Sequence, residues 1–145
     1  MKRFLLVTTL LIPIIIISCA HYRMSSEVEI ISQKDLTFYK DDKITVSSID
    51  GWPEAVGLLK SSLMSSLLDM YSQKKDRAHY NIQGSIFAKK YWRKRIYIYH
   101  TVNLRVFDKE GNIVMTIKNK KPFWQTELSK FTDEIANSIR QLMAP

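Results

Sequence analysis

Three histidines, His21, His79 and His100, a single cysteine, Cys19, and 14 acidic residues are the groups in this 145-residue chain whose chemistry could extend beyond packing. The histidines stand far apart. His21 and His79 fall in segments that read as tether and loop, while His100 falls on what alternation makes the inward face of a strand, where a hydrogen-bonded core imidazole is expected. Glu54, Asp69, Asp108, Glu110, Asp133 and Glu134 fall on helix surfaces or turns, the place of solvated or charge-paired carboxylates. The sequence holds no Gly-rich phosphate loop, metal-spaced cluster or nucleophile elbow. One cysteine excludes an internal disulfide and a cysteine-based metal cluster. These residues imply no enzyme, no metal and no cofactor.

The informative chemistry is basic and aromatic. Lys89, Lys90, Arg93, Lys94 and Arg95 surround a connection between two strands, with Tyr91 and Trp92 among them. If the strands reverse at each turn, Lys118, Lys120 and Lys121 return to the same edge, so eight positive charges gather there. Such a cluster attracts anionic partners and exceeds what solubility needs. A second candidate surface is the sheet face that alternation assigns to Phe87, Tyr97, Tyr99 and Phe107. If both helices cover the other face, these rings are exposed or covered by the tether, and exposed apolar patches mark partner surfaces.

The elements that must position these groups are legible from periodicity. Ile44 to Ile49 is short and rich in β-branched residues, and Asp50-Gly51-Trp52-Pro53 ends that strand and starts a helix with Pro53 in its first turn. From Pro53 to Tyr71, Val56, Leu59, Leu63, Leu67 and Met70 form one helical stripe. Tyr80 to Ala88 and Ile96 to Phe107 alternate with period two, the second placing Ile96, Ile98, His100, Val102, Leu104 and Val106 on one face. Asp108 to Asn112 is a Gly-containing turn, and Ile113, Met115 and Ile117 complete a hairpin. Leu128, Phe131, Ile135, Ile139 and Leu142 stripe a last helix from about Trp124 to Met143. The order β-α-β-β-β-α predicts a two-layer α+β sandwich, a mainly antiparallel sheet with both helices on one face. Residues 44–145 form this domain, and residues 19–43 read as tether with one edge strand near Leu36 to Tyr39.

The N-terminus has a different character. Lys2 and Arg3 precede an uncharged apolar run from Phe4 to Ile17, a signal-peptide layout. The run is shorter than the ~20 residues a spanning helix needs and is interrupted by Pro13. Ile16-Ile17-Ser18-Cys19-Ala20 resembles the lipobox of bacterial lipoproteins, with Ile where that family prefers Leu and a small residue. The resemblance implies cleavage of residues 1–18, lipid on Cys19, and a chain anchored to the membrane without spanning it. In that family Asp after the cysteine favours the inner membrane; Ala20 here implies the outer membrane, facing the periplasm. Loss of Lys2 and Arg3 leaves 20 basic residues against 14 acidic, a formal charge of +6. An exported protein of that charge meets lipid headgroups, lipopolysaccharide and acidic protein faces, and not nucleic acid.

A second resemblance lies in the domain. Ala78-His79-Tyr80-Asn81-Ile82-Gln83-Gly84-Ser85-Ile86, then Val102-Asn103-Leu104-Arg105-Val106-Phe107-Asp108 and Glu110-Gly111-Asn112-Ile113-Val114, resembles a pattern of small envelope lipoproteins. These are the curli-secretion, penicillin-binding-protein-activator and lipopolysaccharide-assembly lipoprotein families, with a strand holding a central Gly and a strand ending in Asp and a Gly turn. His79 replaces their usual Asp and Glu110 their Thr. The resemblance implies a non-enzymatic accessory that docks to an envelope protein partner in assembly or export; the alternative is a protein that handles lipopolysaccharide or lipid.

Overall fold

The computed structural model describes residues 26–144. Met1 to Ile17, the cleavage site and Cys19 lie outside the described residues. The order of elements is β1 (Val28–Ser32), β2 (Ile44–Asp50), α1 (Pro53–Ser66), β3 (Tyr80–Tyr91), β4 (Ile96–Phe107), β5 (Ile113–Asn119), β6 (Phe123–Trp124) and α2 (Leu128–Gln141). The α+β sandwich expected from periodicity is present: one mixed sheet in the order β1-β5-β4-β3-β2, with β6 beside β4 and both helices against one face. The β2–β3 pair is parallel, joined by the crossover through α1, and every other pair is antiparallel.

Each helix is held by its stripe. Ala55, Leu59 and Leu63 of α1 are buried with Leu67 and Met70 just beyond its end, and Leu128, Phe131, Ile135 and Ile139 of α2 face them and the sheet. Where the helices meet, Thr132, fully buried, hydrogen-bonds the hydroxyls of Ser62 (2.7 Å) and Ser66 (2.9 Å). Arg140 closes the crossing by donating to Asp69 Oδ1 and to the Ser66 carbonyl, both at 2.8 Å. In the middle of the sheet Gly84 is opposite Leu104, and a Cβ there would stand 2.1 Å from the Asn103 carbonyl oxygen. Only a residue without a side chain lets β3 and β4 approach this closely.

Three expectations are corrected. The segment read as tether is folded from residue 26 onward: β1 pairs with β5 over its whole length, and the strand expected at Leu36 to Tyr39 is a single bridge from Phe38 to Met143. Phe38 is fully buried, donates its N–H to the Leu142 carbonyl and accepts from Ala144, so it pins the end of α2. His79 is part of the same closure, since its Nδ1 accepts the Lys43 N–H at 3.1 Å. The last helix starts at Leu128, because Trp124 belongs to a short strand paired with Ile98.

The third correction concerns β4. Its alternation is interrupted: Phe87 pairs with Thr101 but Ala88 pairs with Tyr99, so β4 carries one extra residue, a β-bulge at His100. Val102, Leu104 and Val106 face the helices, and across the bulge it is Tyr97 and Tyr99 that do so. Tyr99 is fully buried, stacked on Phe123 at 5.2 Å and donating its hydroxyl to the Ala55 carbonyl at 2.9 Å. Ile96, Ile98 and His100 therefore leave the inward face, and the His100 ring lies 5.6 Å from Phe87 on the open side.

Candidate functional site

The β3–β4 hairpin is longer than any neighbouring strand. Beyond the bulge, among the described residues, only Phe123 and Trp124 pair with it, at Tyr99 and Ile98, and the ladder continues to Tyr91 opposite Ile96. The hairpin thus projects from the sheet as a finger. Its tip, Trp92 to Arg95, is a tight turn closed by the Lys94 N–H on the Tyr91 carbonyl at 3.2 Å. Arg95 takes φ of 52°, the left-handed region that costs an L-residue roughly 1 kcal/mol and that Gly or Asn usually occupies.

The inner side of the finger is fastened to α1. Pro53 starts that helix, which places Glu54 in its first turn and beneath β4. The Tyr97 hydroxyl donates to the Glu54 carboxylate, and Lys90 reaches the same oxygen at 3.3 Å. The Tyr97 bond and the Lys90 ammonium hold the Glu54 carboxyl below the usual range, while the same bond, with burial, pushes the Tyr97 phenol up. Burial pushes the Tyr99 phenol up as well.

The outer side is aromatic and apolar. Phe87, Lys89 and Tyr91 alternate onto it from β3, and Ile98 with its partner Trp124 onto it from β4 and β6. Tyr91 meets Trp124 edge-on at 5.6 Å, and Lys94 lies over the Trp124 ring at 5.6 Å. Trp92 at the tip is 80% exposed. The aromatic face predicted from alternation is accordingly corrected: Tyr97 and Tyr99 are in the core, Phe87 is exposed, and Phe107 lies at the opposite end of β4. Tyr91 and Trp124 take the places that simple alternation gave to the two tyrosines.

The basic residues occupy two tiers of one end of the sheet. Lys89 and Lys90 lie on the arms of the finger, not in a loop, with Arg93, Lys94 and Arg95 at its tip. Lys118, Lys120 and Lys121 form the lower tier at the end of β5, where the Asn119 side chain accepts from the Val102 N–H at 2.7 Å. Lys90 pairs with Glu54 and Lys121 with Glu27 (2.7 Å). Among the described residues the other six have no carboxylate partner within ion-pair distance.

Sequence reasoning overlooked three participants at this end: Trp52, Glu54 and Trp124. Trp52 was legible only as punctuation before Pro53, yet β2 runs parallel to β3 and delivers it towards the finger. The other end of the open face is a shallow polar furrow containing Gln83, Asn103, Arg105 and Phe107. The buried Oδ1 atoms of Asn81 and Asn103 accept no hydrogen bond there. Among the described residues no group of acidic, histidine and cysteine side chains is arranged to hold a metal, and no helix is long and apolar enough to cross a membrane.

No protein-family model and no curated protein sequence matches the chain. Solved structures do. The PelC dodecamer from Paraburkholderia phytofirmans superposes with a TM-score of 0.53 at 15% identity, and a leucine-to-methionine variant of that dodecamer with 0.55 at 17%. Each match covers 83% of this chain and 99% of the other. The likeness shows a shared fold over nearly the whole length of PelC.

Proposed function

We propose that this chain is the precursor of a lipoprotein, cut before Cys19 and anchored by lipid on that cysteine to the periplasmic face of the outer membrane. Its folded domain serves as a non-enzymatic accessory or docking component in envelope assembly or export, and works as an oligomer of identical copies. The observation that carries this reading is the fold shared with the PelC dodecamer along 83% of the chain. The signal-peptide layout and the solitary Cys19 support the anchor independently. Residues 19–25 serve as the tether, because Ser26 is already buried and Glu27 is held by Lys120 and Lys121. Two or more acyl chains are needed to hold the protein stably, since each buried methylene contributes about 0.8 kcal/mol.

The test is intact-mass analysis of the protein from the membrane fraction, followed by native mass spectrometry in detergent. A chain starting at Cys19 with acyl mass, assembled in an oligomer, is expected; Cys19→Ala leaves an uncut precursor. A soluble chain with another terminus sinks the anchor. A strictly monomeric lipidated chain sinks the oligomer.

A further inference from the structure

The two edges of the sheet are treated differently. On β2 the Ile44 N–H donates to the Met70 carbonyl and the Ile44 carbonyl accepts from the Ser72 N–H, both at 2.8 Å, and the Lys60 ammonium donates to the Ser47 carbonyl. Residues 70–72 and a helix side chain thus cover that edge. β1 is left open. Its register sets Glu29 opposite Lys118 and Ile31 opposite Thr116 on β5, and the bonds at its two ends, from Lys120 N–H to the Glu27 carbonyl and from Gln33 N–H to the Val114 carbonyl, fix its phase. Backbone groups alternate along an antiparallel strand, so those of Glu29 and Ile31 face β5 and those of Val28, Ile30 and Ser32 face outward. Among the described residues no backbone group bonds the outward N–H and C=O groups.

Sheet edges in soluble domains are commonly blunted by proline, lysine, a bulge or a covering loop. β1 contains neither proline nor lysine, its pairing has no register shift, and its one charge, Glu29, stands opposite Lys118. The free edge also offers side-chain specificity. At one end Ile31 is 57% exposed, and the exposed Ile113 with Val114 and Thr116 forms a shallow hollow beside it. Because its own backbone is turned to β5, Ile31 would occupy a non-hydrogen-bonded pair across the free edge, where facing side chains approach most closely. The other end is basic. Lys121, through its hydrogen bond and charge, and then Lys120 and Lys130 hold the Glu27 carboxyl below its usual range, so with Lys118 four cations surround Glu27 and Glu29.

This pattern is not self-complementary. Full antiparallel overlap of two copies, centred on Ile30, would set Glu29 against Ile31 twice and leave both basic ends without added carboxylates. A strand with an apolar residue at the Ile31 end and an acidic one at the Val28 end satisfies both features. We infer that β1 is a docking edge that takes an extended segment of another envelope protein, of that chemistry, as an added strand. The inference rests on the docking reading above and names its surface.

The experiment places photoreactive benzoylphenylalanine at Ile31, Leu68 or Trp92 of the full-length chain in living cells, three exposed positions on separate elements. Ile31 is expected to join to a protein other than this chain, at a segment that carries the apolar and acidic residues. Ser32→Pro deletes one outward N–H and leaves the β1 bonds to β5 in place. It is expected to lower that adduct about tenfold, while Ser32→Ala leaves it unchanged. A synthetic peptide of the joined segment, added to the wild-type protein, is expected to slow amide exchange at Ile30 and Ser32 severalfold, a reading that does not depend on the folding of any variant. Adducts from Ile31 to a second copy or to lipid alone overturn the inference, as does a peptide that leaves exchange at Ile30 and Ser32 unchanged. Adducts to another protein from Leu68 or Trp92 but not from Ile31 remove the edge and leave the docking reading standing, and none from any of the three positions removes both.

Discussion

Replacing Gly84 by Ala tests the central packing of the sheet, because the same substitution at Gly57 must act with the opposite sign. The Cβ added at Gly84 would lie 2.1 Å from the Asn103 oxygen and 2.8 Å from Leu104 Cα, both backbone atoms in the neighbouring strand. Ordinary van der Waals contact begins at 3.4 Å, so β3 and β4 must separate locally by about 1.3 Å. That exceeds the ~0.5 Å range over which an N–H···O bond keeps its geometry, and one or two ladder bonds weaken. Overpacking of this kind costs about 1–3 kcal/mol, and each weakened bond about 0.5–1.5 kcal/mol. The alanine restricts the unfolded chain, which offsets about 0.4–1 kcal/mol. The net is a loss of about 2–4 kcal/mol.

At Gly57, by contrast, a Cβ meets nothing within 4 Å, and the residue is exposed in the middle of α1. Alanine there gains roughly 0.5–1 kcal/mol from helix propensity. Urea unfolding of the mature chain, followed by circular dichroism, reads both. With a slope of about 2 kcal/mol per molar, G84A lowers the midpoint by about 1–2 M and G57A raises it by up to about 0.5 M. A G84A midpoint within experimental error of wild type would show that the strands have room to spare and would refute the close approach. A destabilising G57A would mean that its face of α1 is covered.

Two further outcomes are expected. Leu63→Ala and Ile135→Ala each remove a fully buried side chain from one helix stripe and lower stability by about 2–5 kcal/mol, read by the same unfolding curves. Less than about 1 kcal/mol at both would mean that the stripes do not meet the sheet. The Arg140 hydrogen bond holds the Asp69 carboxyl below 3.8, so the pair stabilises the fold above that pH and the contribution is lost as pH falls through the lowered value. Asp69→Asn therefore costs up to about 1 kcal/mol at neutral pH, as expected of a partly exposed pair, and the difference from wild type closes in acid. A difference that persists unchanged at pH 2 would assign the effect to packing.

The fold was legible wherever one face of an element is apolar and the other is not. Leu59 and Leu63 on one helix, Phe131 and Ile135 on the other, and Val102 to Val106 on β4 each admit one orientation, and the structure adopts it. The stretch before the bulge admits two. Ile96 and Ile98 alternate with Tyr97 and Tyr99, so both faces carry large apolar groups and alternation holds no information about phase. Extending the phase of Val102 backwards puts the isoleucines inside; one extra residue at His100 reverses this. The choice is made by tertiary partners. Tyr99 gains the Ala55 carbonyl and the Phe123 ring, and Tyr97 gains Glu54, partners that exist only once α1 and β6 are in place. β1 was missed for a related reason: Val28 and Ile30 are only partly buried, and the strand is defined by pairing with β5, more than eighty residues away.

The bulge also accounts for the division of labour along the hairpin. With unbroken alternation the two tyrosines would stand on the outer face, and the inner face beneath them would offer Ile96, Ile98 and His100 to α1. The two isoleucines have no group able to bind the Glu54 carboxylate, and a buried imidazole would need partners at both ring nitrogens. Reversal at His100 sends both phenols inward, where each finds an acceptor on the first turn of α1, so the finger is braced by polar bonds as well as by packing. The same reversal turns Ile98 outward beside Trp124 and Tyr91, which extends an apolar strip from the sheet to the tip. One inserted residue thus supplies the projecting hairpin with both a rigid root and an apolar outer face.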